Sequence, residues 1–64
     1  MATFINQKPD AMGRIENTKI LSVNTNLGYV AFHCNTGNKY EAINQLKADF
    51  GVTSADYHHA RYVQ

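Results

Sequence analysis

The sequence predicts a small α+β fold, an antiparallel three-stranded sheet in the order strand, strand, helix, strand, with the helix packed on one face of the sheet. Three observations carry this reading. Two β-branched and apolar stretches, residues 14–24 and 29–34, flank a short glycine-containing link. Asn38 and Gly51 bracket a run whose apolar residues recur with a helical period. An aromatic-rich stretch, residues 56–63, closes the chain.

Residues 1–13 read as an N-terminal arm ahead of a single ββαβ domain at 14–64. Their apolar content is confined to Phe4-Ile5, followed by Asn6-Gln7-Lys8-Pro9-Asp10, where Pro and Asp favour a loop. Such an arm either frays or adds a short edge strand.

In the next stretch Ile15, Thr18, Ile20, Leu21 and Val23 favour a strand, and Tyr29-Val30-Ala31-Phe32-His33-Cys34 favours a second. Thr25-Asn26-Leu27-Gly28 reads as the hairpin loop, with Gly28 where a positive φ is needed. Placing Asn24 opposite Tyr29 sets Val23 against Val30, Ser22 against Ala31, Leu21 against Phe32 and Ile20 against His33. Because side chains alternate, Leu21, Val23, Val30, Phe32 and Cys34 then share the core face. Ile20, Ser22, Asn24, Tyr29, Ala31 and His33 share the other face, which stays open.

Asn35-Thr36-Gly37 is a turn, and Asn38 with Glu41 has the spacing that satisfies free N–H groups at a helix start. Ala42, Ile43, Leu46 and Phe50 form the buried side of that helix. Gly51 supplies a left-handed cap, after which Val52 folds back onto Leu46. The remaining stretch, residues 56–63, alternates His58-Ala60-Tyr62 with Tyr57-His59-Arg61 and reads as the third strand, with a short helix capped by Ser54 as its rival. This strand pairs beside the first, giving the spatial order second, first, third.

Composition narrows the function classes. The 64 residues are 44% hydrophobic and 17% charged, with a net charge of +1, so no overall field directs the chain to nucleic acid or an anionic membrane. No apolar run approaches the roughly 18 residues of a membrane span, and Met1-Ala2-Thr3-Phe4 lacks the pattern of a signal peptide, so a cytoplasmic protein is expected. The lone cysteine, Cys34, forms no internal disulfide. A domain this size buries only about 60% of its unfolded surface, so packing, a metal or association must supply its stability.

Of these, metal is disfavoured. His33, Cys34, His58 and His59 are ligand types for zinc, but neighbouring strand residues point to opposite faces and no C-x-x-C spacing exists. No metal and no cofactor is therefore expected. A Cys-His nucleophile fails because Cys34 points to the core without an activating cation. The carboxylates Glu41 and Asp49 lie on the helix, and Asp10, Glu16 and Asp56 lie outside the apolar faces. Asn35-Thr36-Gly37-Asn38-Lys39 lacks the phosphate-loop pattern. A non-enzymatic protein is expected.

The open face is the remaining candidate. Tyr29, His33, Tyr57, His59 and Arg61 are the expected partner-binding residues, since Tyr and Arg combine contact area with directional hydrogen bonds. The same set suits stacking on single-stranded bases, with Arg61 on phosphate. Lys8, Arg14, Lys19, Lys39, Lys47 and Arg61 are spread along the chain rather than gathered, which favours a protein partner and leaves RNA as the alternative. A second copy, pairing through the open face or an edge strand, is a further competitor.

In size and element order, residues 15–63 resemble the small host-takeover proteins of bacteriophages, among them anti-CRISPR proteins and inhibitors of bacterial RNA polymerase. The resemblance implies a stoichiometric inhibitor that occupies a working surface of a host protein in the host cytoplasm. Many such proteins are strongly acidic mimics of DNA; a net charge of +1 departs from that pattern.

Overall fold

The computed structural model describes residues 2–64 and has one helix on a four-stranded mixed sheet. The elements are β1 (Ala2–Ile5), β2 (Lys19–Thr25), β3 (Gly28–Cys34), α1 (Lys39–Phe50) and β4 (Arg61–Tyr62). The sheet order is β1-β3-β2-β4, with β2 antiparallel to both β3 and β4 and β1 parallel to β3.

The hairpin has the register that alternation predicts, from Asn24 opposite Tyr29 to Ile20 opposite His33. Its loop is tighter than expected. Thr25 and Gly28 pair with each other, leaving Asn26-Leu27 as the turn. The Thr25 hydroxyl donates to the Gly28 carbonyl (2.9 Å) and accepts from the Leu27 amide (3.0 Å), while Gly28 takes the positive φ of +93°.

The first strand starts later than predicted, at Lys19 rather than Arg14. The cause is local. The Asp10 carboxylate accepts from the amides of Met12 (2.8 Å) and Arg14 (2.9 Å), and the Asp10 amide donates to the Arg14 carbonyl. These bonds close residues 10–14 on themselves, so Arg14 has no main-chain groups to offer a ladder, and Ile15 remains exposed.

Within the N-terminal arm, residues 2–5 form the short edge strand, the alternative to fraying, while Met1 lies outside the described residues. Phe4 sits opposite Phe32, and the Asn6 amide extends the ladder by donating to the His33 carbonyl at 2.8 Å. This parallel strand changes the predicted antiparallel sheet into a mixed one. Phe4 anchors it on the helix side, its ring 4.9 Å from that of Phe50.

Helix α1 has the predicted ends. The Asn38 side chain accepts from the amides of Tyr40 (3.0 Å) and Glu41 (3.4 Å), and Gly51 takes φ +70°. Ala42, Ile43 and Leu46 press onto the sheet face bearing Leu21, Val23, Val30, Phe32 and Cys34, and Val52 folds back into the same core. Phe50, expected in that core, is half-buried at its edge, between Phe4 and Phe32.

The last predicted strand is mostly not a strand. Thr25 bridges Ala55 and Ser22 pairs with Arg61, so three steps along β2 correspond to six along the returning chain. The surplus is ejected as a turn at residues 57–59. Asp56 fixes it, accepting from the His59 amide (3.3 Å) and meeting His59 Nδ1 at 2.8 Å. Lys39 at the helix start holds the other side by donating to the carbonyls of His58 (3.4 Å) and Ala60 (3.3 Å).

Candidate functional site

The helix covers one face of the sheet and leaves the other open. Pairing and alternation assemble that open face in rows across the strands. One row runs Ile20, His33, Ile5; the next runs Arg61, Ser22, Ala31, Thr3; a third joins Asn24 to Tyr29. The middle row is built of small side chains apart from Arg61. It forms a shallow trough spanning four strands, about 14 Å at the usual strand spacing. Ile5 and Tyr29 stand exposed on either side of it, at 51% and 59%. Arg61, His33 and Tyr29 are the titratable side chains of these three rows, and the bond from the Asp56 amide to the Asn24 carbonyl sets Asp56 beside Asn24 at the end of the third.

Of the five residues expected to act together, the sheet brings Tyr29, His33 and Arg61 to this face. Tyr57 lies elsewhere, and His59 sits in the ejected turn against Asp56, whose amide bonds to the Asn24 carbonyl at the edge of this face. The ejected turn carries Tyr57 over the outer side of α1, where its ring stacks on Tyr40 (5.8 Å, 15° between planes) and its hydroxyl donates to the Asn44 side chain at 3.2 Å. Lys47 Nζ lies 4.9 Å from the Tyr57 ring centre, and Lys39 Nζ lies 5.7 Å from that of Tyr40. His59 is exposed, and its contact with Asp56 holds that carboxyl below the usual range. The sequence carried a signal for this second cluster: Tyr40, Asn44 and Lys47 are spaced four and three residues apart, on one side of a helix. Ile5, by contrast, had no signal in local periodicity, because only the parallel pairing of β1 brings it to the open face.

The groups weighed for chemistry are held in structural contacts. Cys34 is fully buried, its thiol donates to the Thr36 carbonyl (3.6 Å), and burial pushes its pKa up. The Tyr62 hydroxyl donates to the same carbonyl at 2.6 Å; burial, then the neighbouring Cys34, pushes its pKa up to about 12. His33 and Cys34 point to opposite faces, and among the described residues no group of three His, Cys, Asp or Glu side chains converges. An open depression of about 320 Å³ lies between Asn24–Asn26 and Ser54–Asp56. Its polar lining is engaged within itself: the Asn26 amide donates to the Ser54 carbonyl, and the Asp56 amide to the Asn24 carbonyl. No helix among the described residues is long and apolar enough to cross a membrane.

No family model matches this chain, and no characterised protein or solved structure matches it either.

Proposed function

We propose that this protein works by binding another protein through the open face of its sheet, as a stoichiometric inhibitor or regulator acting in the cytoplasm without catalysis. The observation that carries the reading is the uncovered face itself: a four-strand trough with Arg61 at one end and exposed Tyr29 and Ile5 along its sides. A sheet face without a second layer is completed by something apolar enough to cover Ile5 and Ile20. Tyr29 offers a broad ring with a polar tip, and Arg61 a fork of donors suited to a carboxylate. His33 supplies a further polar contact from the next row. Arg61 is the charged member of a row otherwise made of Ser22, Ala31 and Thr3, so a partner surface that places a carboxylate beside an apolar patch is the complement. The likeness in size and element order to phage host-takeover proteins supports an inhibitory role.

The test begins with a protein captured from lysate and then purified. Truncating a central anchor at an interface costs about 2 kcal/mol or more, roughly thirtyfold in affinity. Tyr29→Ala and Arg61→Ala should each weaken binding on that scale while retaining the folded spectrum. Full affinity in both variants overturns the reading.

One observation favours RNA as the second reading, on a different surface from the one the sequence suggested: the Tyr40–Tyr57 stack flanked by Lys39 and Lys47. That reading requires binding of single-stranded oligonucleotides that weakens steeply with salt and is lost in Tyr40→Ala. Absence of binding at low salt removes it.

A further inference from the structure

We infer that the outer edge of β1 pairs with the same edge of a second copy of this chain, joining two four-stranded sheets into one. The inference does not depend on the proposed function, because it uses the edge of the sheet and not its face.

The backbone of β1 fixes the geometry. The Asn6 amide bonds to β3, so even-numbered residues of this strand turn their main-chain groups inward, and Thr3 and Ile5 turn theirs outward. β1 is an edge strand, and among the described residues nothing bonds to the outward amides and carbonyls of Thr3 and Ile5. Edge strands are usually blunted by charge, proline or extreme shortness. β4, the opposite edge, has two residues and carries Arg61. The segment Ala2-Thr3-Phe4-Ile5 is twice that length and carries neither a charge nor a proline.

Symmetry then selects the register. Two antiparallel copies of β1 are related by a two-fold axis normal to the sheet, which keeps both helices on one side. Side chains on paired residues must point the same way, so residue numbers across the pair share parity. Centring the axis on Phe4 sets Thr3 against Ile5 of the second copy and Ile5 against its Thr3. Every outward amide and carbonyl of both residues is then bonded. Phe4 becomes a closely spaced pair with its counterpart, on the helix side and beside Phe50. Phe4 is only half-buried in one copy, and the second copy completes its cover. An edge of this length buries less than the roughly 1,200 Å² of a standard interface, so the association is weak and reversible.

The experiment measures the mass of the purified protein by sedimentation from about 1 μM to about 1 mM, the range of weak complexes. The mass should rise from 7.2 kDa toward twice that value. Thr3→Pro removes an outward donor that β3 does not use, a position where an edge strand tolerates proline. It should remain a monomer over the same range while Cys34 stays shielded from thiol reagent, which establishes that the variant is folded. Phe4→Cys checks the register by a second route. The two cysteines would sit about 4.5 Å apart between α-carbons and should cross-link on mild oxidation. Ala2→Cys, about 14 Å from its counterpart along the strands, should not. A wild-type chain that stays monomeric at the highest concentration overturns the inference, as does a folded Thr3→Pro that associates like wild type. A monomeric wild type whose captured partner is lost in Thr3→Pro also overturns it, assigning the edge to a strand of that partner.

Discussion

Replacing Leu46 with alanine tests how helix and sheet are held together. Leu46 is fully buried on the inner side of α1, in one cluster with Ile43, Phe32 and Val23. Shrinking its side chain to a methyl loses the transfer free energy of the removed carbons and leaves a cavity that the hydrogen-bonded sheet cannot collapse to fill. The cost is about 2 to 5 kcal/mol. A chain of 64 residues has a total stability of roughly 3 to 10 kcal/mol at the usual value per residue. A loss near the middle of the cost range, about 3 kcal/mol, therefore removes a third or more of it. At about 4–8 °C per kcal/mol for a domain of this size, the melting temperature should fall by about 12–24 °C. Thermal unfolding followed by far-ultraviolet circular dichroism reads this directly. Leu27→Ala is the matched control: Leu27 is 54% exposed at the hairpin tip, and its loss should cost no more than about 0.5 kcal/mol. Equal melting temperatures for the two variants would refute the packing of α1 on the sheet.

Other perturbations follow from single contacts. Asn38→Ala removes the acceptor for two helix-end amides and should cost about 1 kcal/mol in denaturant unfolding; Asn38→Ser should recover most of it. Gly51→Ala meets open space but forces a left-handed φ on a residue with a β-carbon, so a loss of about 1 kcal/mol is expected and an unchanged midpoint would contradict the cap. Cys34 should resist thiol reagents in the folded protein and react fully in denaturant; labelling at the rate of a free thiol under native conditions would contradict its burial. Tyr62 has a folded pKa of about 12, above its ordinary value of 10.0. Its contribution to stability is therefore complete below pH 10 and is lost as pH rises through about 12. The phenolate absorbance step missing from Tyr62→Phe should be centred near the higher value, and a missing step near pH 10 would contradict this.

The parts of the fold legible in the sequence are those set by neighbours in the chain. Alternation in residues 20–24 and 29–33 fixed the hairpin register, because a slip of one residue would turn Leu21, Val23, Val30 and Phe32 out of the core. Asn38 and Gly51 marked the helix ends because their side-chain and backbone preferences act locally. The parallel pairing of β1 was not legible, since four residues have too little period and their partner lies some 28 residues away. The end of the chain misled for a different reason. Tyr57 and His59 alternate as strand residues do, yet Asp56 turns the chain there by capping the His59 amide, and Tyr57 finds an aromatic partner in Tyr40. One local hydrogen bond thus divides the expected interaction surface in two, leaving Tyr29, His33 and Arg61 on the sheet and Tyr57 on the helix side.

The amide spectrum of isotope-labelled protein, recorded as the purified captured protein is added, tests the proposed interface most directly. Binding at the open face should shift or broaden Thr3, Ile20, Ser22, Tyr29, Ala31, His33 and Arg61, which share that side of the sheet, and spare Tyr40, Asn44, Lys47 and Tyr57. Perturbations centred on the helix-side cluster, with the sheet residues unchanged, would contradict the proposed interface.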